Sequence, residues 1–233
     1  MLPNLSRFFL ILIALQISST LKAEQLWLER FDQVQIPASF TNPMLGPMPE
    51  GWEAPHSING VHDYAVVKIG SDQFLRGRFL PKTKGKVVGK KIDWDMQKYP
   101  YVSWRWRVNA WATGATLIGK KKEDSSASVY ISIKSGIRAY VIKYIWAVSD
   151  SVGEGYDSGS WNPLGRLFAT VIRSGGKVQE WQTEKRNFAE DYQKLFKKEV
   201  PVFIGRGFGV LTEGDSTQSE PEADYDDFQV LSE

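Results

Sequence analysis

Polar and apolar positions alternate along Tyr101–Val108, which reads YVSWRWRV. Alternate side chains of a strand point to opposite faces. Val102, Trp104, Trp106 and Val108 therefore share one face, and Ser103, Arg105 and Arg107 share the other. The first set belongs in a core. The second offers two guanidinium groups to something polar. Period-2 or β-rich runs recur at Leu26–Val34, Tyr64–Ile69, Gln73–Phe79, Ser126–Lys134, Arg138–Val148, Leu167–Arg173, Phe203–Leu211 and Tyr225–Leu231. Turn residues separate them, the pattern of an all-β sandwich. Ser135-Gly136 predicts a tight hairpin between two of these runs. In Arg138–Val148, Tyr140, Ile142, Tyr144 and Trp146 take one face, and Val141, Lys143 and Ile145 the other. Pro37–Pro55 holds five prolines with Gly46 and Gly51 and predicts a long irregular connection.

One segment carries a helical period. Phe188, Tyr192, Leu195 and Phe196 fall on one stripe, and Asn187 with Glu190 has capping-box spacing. Lys194, Lys197 and Lys198 stand where the helix dipole favours cations, and Pro201 ends the run. The predicted fold is therefore an antiparallel β-sandwich with one flanking α-helix.

The first 23 residues read as an export signal: Arg7, an apolar stretch Phe8–Ile17, then a small-residue junction ending at Ala23. The apolar stretch is short for a membrane span, which takes about 20 residues. The expectation is a periplasmic or secreted protein with a single domain over residues 24–233 and no membrane span after cleavage. A retained N-terminal anchor is the alternative reading. No cysteine occurs, so thiol catalysis and cysteine-ligated metal are excluded, as is lipoprotein acylation. Removing Arg7 and Lys22 with the leader leaves 27 basic against 27 acidic residues. A neutral domain gives no electrostatic reason to expect nucleic acid.

The strings SWRWRV, KEDSSASVYISI, IKYIWA, VIRSG, EWQTEKRNFAEDYQKLF and TEGDSTQSEPEADYDDFQV occur in this order. Together they resemble the bacterial family called domain of unknown function 3047, over roughly Trp52 to Val230. The resemblance implies an exported bacterial protein. Its look is similar to the jelly-roll sandwiches of galactose-binding-like and carbohydrate-binding modules. In those, an early acidic strand (here Glu29 and Asp32) lies beside a late Asp-rich strand, often with a structural calcium. The family's paired Asp before the SVYISI-type strand is Glu123-Asp124 here, after three lysines, which puts a metal role there in doubt.

Aromatic residues make up 13% of the chain, a rich supply for stacking on sugar rings. Tyr144, Trp146, Trp161 and Trp181 are candidates to stack, or else to pack the core. Arg105, Arg107 and Arg173 would anchor polar groups, or else make cross-strand ion pairs. The expected ligand site is Arg105, Arg107, Tyr144, Trp146 and Arg173 on a concave sheet face, and the expected ligand a carbohydrate or cell-envelope glycan. Asp215, Asp224, Asp226 and Asp227 supply oxygens for a structural Ca2+, or else form a polar hairpin. A glycan hydrolase would need two converging carboxylates, from Asp124, Glu154, Asp157 and Asp191. A structural or assembly protein of the envelope is the third reading. His56 and His62 match no metal-ligand spacing, and no GxSxG, Walker A or GxGxxG motif occurs.

Overall fold

A computed structural model of the chain describes residues 24–37, 46–53, 55, 57–58, 61–117, 123–135, 137–159, 165–198 and 204–233. The segment expected to be an export signal, Trp161 and His56 lie outside the described residues, as does much of the proline-rich connection. In chain order the elements are β1 (Gln25–Glu29), β2 (Ser57–Ile58), β3 (Val61–His62), β4 (Tyr64–Ile69), β5 (Asp72–Arg78), β6 (Val88–Lys90), β7 (Trp94–Asp95) and β8 (Tyr101–Ala110). Then come β9 (Ala127–Ser135), β10 (Arg138–Ala147), β11 (Gly155–Asp157), β12 (Gly165–Ser174), β13 (Gln182–Asn187), α1 (Phe188–Phe196), β14 (Ile204–Leu211) and β15 (Glu222–Leu231).

Two sheets pack face to face as a jelly-roll-like sandwich. Sheet A runs β13-β8-β15-β5-β4, with β1 also paired to β15. Sheet B runs β11-β12-β10-β9-β14-β6, with β7 also paired to β14. The strands β2 and β3 form a separate short ladder. Pairing is antiparallel except between β10 and β12, which run parallel. The chain between them passes through β11, which returns antiparallel to β12.

The alternation in β8 explains the core. Val102, Trp104, Trp106 and Val108 are fully buried between the sheets. Trp104 meets Tyr144 at 5.4 Å and Trp106 meets Trp146 at 5.5 Å between ring centroids. Phe208 of β14 stacks on Phe228 of β15 at 4.5 Å. These pairs join the two sheets, and each adds to the area it buries. Unlike a half-exposed strand, β10 is buried on both faces, because Ile145 and Ala147 lie in a second apolar cluster with Ala169 and Val171.

The helix forms where its spacing predicts. Asn187 Oδ1 accepts from the Glu190 backbone N–H, and Asn187 Nδ2 donates to Glu190 Oε1. Tyr192 and Phe196 pack on Tyr140 at 5.3 and 5.2 Å and close one end of the core. Sequence periodicity misses β13, whose residues QTEKRN carry little apolar content; it pairs with β8 as an edge strand.

Candidate ligand groove

The expected site residues do not share one face. Arg105 and Arg107 point outward from sheet A, as alternation predicts, but both guanidinium groups are held by carboxylates of neighbouring strands. Arg107 Nε donates to Asp224 Oδ2 at 2.7 Å, and Asp224 also takes Arg76 of β5 at 2.7 Å. Arg105 meets Asp72 at 2.7 Å, Asp226, and Asp227 at 3.0 Å. The Trp181 ring lies over both arginines, at 4.4 and 4.6 Å from ring centroid to Cζ. This outer face is a closed ladder of ion pairs under an aromatic cover.

Tyr144 and Trp146 project from β10 of sheet B into the core between the sheets, away from that ladder. Both are buried, and their polar atoms are used internally: Tyr144 donates to Asp191 Oδ2 at 2.8 Å, and Trp146 Nε1 donates to Gly175 O at 2.8 Å. Arg173 pairs with Glu184 at 2.6 Å, and its Cζ lies 5.4 Å from the Trp146 ring centroid. The five residues therefore fall into three places: an outer ladder, the core and a rim.

The predicted calcium set is also divided. Asp224 and Asp226 are buried partners of arginines, and Asp227 belongs to the same ladder. Burial, with one oxygen left without a donor, outweighs the nearby Arg105 and pushes the Asp226 carboxyl up to about 6. Asp215 stands elsewhere, with Asp124 and Glu213, and one oxygen of each lies within 4.8 Å of the others. Burial and the charge of Asp124 raise the Asp215 pKa. Asp124 is already satisfied by the Ser216 and Thr217 backbone N–H groups and the Thr217 hydroxyl. As the jelly-roll resemblance implies, β1 lies beside β15, but Glu29 is held by Lys90 and Trp52, and Asp32 pairs with Arg30.

The carboxylates considered for hydrolysis are dispersed over separate partners. Asp191 binds Arg186 and Tyr144, Asp157 binds Arg166, and Glu154 accepts from the Ser151 backbone.

The outer face of sheet B holds an open groove instead. The register places Gly89 (β6), Gly209 (β14), Tyr130 (β9), Lys143 (β10), Ala169 (β12) and Tyr156 (β11) in one row across all six strands. Five strand spacings of about 4.8 Å give the row a length of about 24 Å. Gly89 and Gly209 keep its floor low at one end, while Ala169 is covered in the apolar cluster with Ile145 and Val171. A Cβ on Gly89 would come within 2.5 Å of Phe208 O, so that floor admits no side chain there.

Two depressions meet at Tyr130. The first, about 340 Å3, is lined by Val87, Gly89, Lys91, Val141 and Gly209 and is mostly apolar. The second, about 470 Å3, is polar, with Glu123, Lys143, Tyr156, Glu213 and Ser158 in its walls. Lys143 is only 4% exposed, and its Nζ donates to Glu213 Oε1 at 2.8 Å. Burial opposes its charge, but the hydrogen-bonded Glu213 carboxylate helps to outweigh burial, and the ammonium stays protonated. Burial raises the pKa of Tyr130 and pushes Tyr156 up to about 12, so both phenols are neutral at pH 7. The groove thus offers two aromatic walls, neutral hydroxyls, a fixed ammonium and carboxylates.

The sequence carried a signal for this groove. Lys143 is the lone charge inside YVIKYIWA, on the face opposite the tyrosines, and Gly205, Gly207 and Gly209 alternate along β14. Gly207 adopts a φ of +144° at a bulge, and a Cβ there would lie 2.4 Å from Lys90 O.

Among solved structures, the chain is similar to the xyloglucanase domain of NopAA, a type three effector from Sinorhizobium fredii. Identity is 10%, coverage is 78% of this chain and 93% of that one, and the TM-score is 0.43. It is similar to a family 12 xyloglucanase from Bacillus licheniformis, with 9% identity, coverage of 90% and 98%, and a TM-score of 0.40. It is also similar to a family 30 carbohydrate-binding module, with 12% identity, coverage of 78% and 81%, and a TM-score of 0.39. No curated protein matches the chain. Residues 50–229 match the family model described as protein of unknown function (DUF3047), and the chain belongs to that family.

Proposed function

We propose that this is an exported, periplasmic or secreted binding protein for a carbohydrate or cell-envelope glycan, and that the glycan lies across the outer face of sheet B. The row Gly89–Gly209–Tyr130–Lys143–Ala169–Tyr156 carries the reading. Sugar rings present apolar C–H faces and a rim of hydroxyls, and they bind where aromatic faces and fixed polar groups alternate. Tyr130 and Tyr156 supply the faces. Lys143 donates, and Glu123 and Glu213 accept. A row that crosses every main strand of the sheet suits several linked rings of a chain.

Binding is favoured over hydrolysis by the state of the acids. Glu213 is tied to Lys143, and Asp124 to Thr217 and Ser216. These two are held by other groups, which favours binding; Glu123 and Asp215, in the same depression, are the acids that a hydrolase would use. The test is a glycan array of plant and bacterial envelope polysaccharides probed with the protein, alongside a reducing-end release assay on every hit. Retention without release of reducing ends supports the proposal. A folded protein that retains no glycan contradicts it, and release of reducing ends moves the protein to the hydrolase class.

A further inference from the structure

The ion-pair ladder on the outer face of sheet A is uneven along its length. At one end Arg105 faces three carboxylates, Asp72, Asp226 and Asp227. At the other end β5, β15 and β8 carry Arg76, Arg78 and Arg107 against Asp224 and Glu222. Arg107 and Arg76 share Asp224, and Glu222 leans toward Arg76 at 3.4 Å. Arg78 stands directly opposite Glu222 in the strand register, yet among the described residues it forms no ion pair. Asp224 and Glu222 are thus taken up by Arg76 and Arg107, and among the described residues no carboxylate pairs with the Arg78 guanidinium.

Arg78 is exceptional in this fold. Among the described residues, the other half-buried arginines, Arg76, Arg105, Arg107, Arg166, Arg173 and Arg186, all meet a carboxylate. The Arg78 Nε is shielded from solvent and meets no acceptor. The carboxamide nitrogen of Asn109, in the same lining, also lacks one. An unpaired shielded donor costs about 1–3 kcal/mol, so such groups are normally satisfied.

Both residues line a hollow of about 330 Å3 at the end of the sandwich, beside Phe79, Leu80 and the exposed Glu220. Its walls are fixed by backbone hydrogen bonds. Gln179 N–H donates to Val108 O at 2.7 Å, and Phe79 N–H donates to Pro221 O at 3.1 Å.

We infer that this hollow is a second binding site, separate from the groove on sheet B, and that it takes a carboxylate carried by a small ligand. The ligand carboxylate occupies the place beside Arg78 that a protein carboxylate takes at every other half-buried arginine described. A planar guanidinium matches a carboxylate two bonds at a time. Asn109 adds an amide donor, and Phe79 and Leu80 supply an apolar wall for the ligand's body. Glu220 at the wall disfavours ligands with a second negative charge.

The probes are sodium glucuronate, N-acetylglycine and, as the neutral control, glucose. Each is titrated into the 15N-labelled protein while the backbone amides are followed by NMR. The expected result is a saturable shift at Arg78, Phe79, Asn109 and Glu222 with either carboxylate and none with glucose. Arg78→Gln should abolish the shift, and Arg78→Lys, which keeps the charge and loses the fork, should weaken the affinity. Circular dichroism checks that both variants fold, and Arg138→Gln, an exposed arginine far along the chain, should leave the titration unchanged. Tighter glucuronate binding assigns the site to acidic sugars, and tighter N-acetylglycine binding assigns it to peptide C-termini; either supports a carboxylate site. The inference is overturned if neither carboxylate shifts these amides, if glucose shifts them equally, or if Arg78→Gln leaves the response intact. Because the readout is local to Arg78, its failure leaves the sheet B groove untouched.

Discussion

Tyr130 stands directly opposite Lys143 across the β9–β10 pair, and the lysine Nζ lies 5.6 Å from the centre of the tyrosine ring. This pair sits at the middle of the cross-strand row and joins its apolar half to its polar half. The ammonium is fixed by Glu213 and faces the phenol, so it is oriented before any ligand arrives. Preorganised donors lose little entropy on binding, which is why a few such groups suffice for recognition.

Removing Lys143 alone should be costly. Lys143→Met leaves Glu213 partly buried without its counter-charge, and breaking a buried pair costs about 3–5 kcal/mol. The double variant Lys143→Met, Glu213→Leu should recover much of that loss. Urea unfolding at pH 7 of the two single variants and the double variant measures the coupling. Additive losses would show that the pair is not a unit.

Stability should depend on pH through Asp226. Its folded carboxyl is raised to about 6 from the usual 3.8, so the folded protein holds a proton that the unfolded chain releases. This contribution is fully present below about pH 4 and fades as the pH rises through about 6. It amounts to about 2–3 kcal/mol at most. Asp226→Asn, which stays neutral, should therefore gain on the natural protein as the pH goes from 4 to 7. Parallel thermal melts of both proteins across that range check the sign. A gap that widens in the opposite direction would mean that Arg105 dominates over burial.

Three of the core tryptophans, Trp104, Trp106 and Trp146, should differ in their need for nitrogen. Trp106 Nε1 donates to Glu184 at 3.2 Å and Trp146 Nε1 donates to Gly175 O, but the buried Trp104 Nε1 has no acceptor. Trp104→Phe trades lost volume against removal of an unpaired donor. Trp146→Phe loses volume and leaves a carbonyl without its donor. Denaturation midpoints should put Trp146→Phe at least about 1 kcal/mol below Trp104→Phe.

Trp181 should stabilise the outer ladder. It packs on Phe74 at 5.4 Å and covers Arg105 and Arg107. Trp181→Ala should cost about 1–3 kcal/mol, from two cation–π contacts and lost apolar cover. Since the ladder would then lie open to solvent, the loss should grow with added salt. Chemical denaturation at low and high ionic strength tests both parts.

Much of the sandwich is legible in the chain because its strands alternate cleanly. The faces of Tyr101–Val108 follow from eight letters, and the cap at Asn187 follows from four. What pairs with Arg105 does not follow, because Asp72 lies 33 positions away and Asp226 lies 121 away. Such partners are fixed by strand order, on which local pattern is silent. The same limit hid the groove. Lys143 and the alternating glycines of β14 stand out in the sequence, but only the order β11-β12-β10-β9-β14-β6 lines them up with Tyr130 and Tyr156. Tyr144 and Trp146 misled for another reason: an aromatic face on a strand suits a ligand and a core equally. The second sheet's Trp104 and Trp106 meet them and decide for the core.

The most direct measurement is the affinity of the best array glycan for the natural protein, Tyr130→Ala, Tyr156→Ala and the outer-ladder variant Trp181→Ala, by isothermal titration calorimetry. Each tyrosine variant should weaken binding by tenfold or more, about 1.4 kcal/mol, while Trp181→Ala binds as the natural protein does. Unchanged affinity in both folded tyrosine variants, or a loss confined to Trp181→Ala, would contradict a glycan site on the outer face of sheet B.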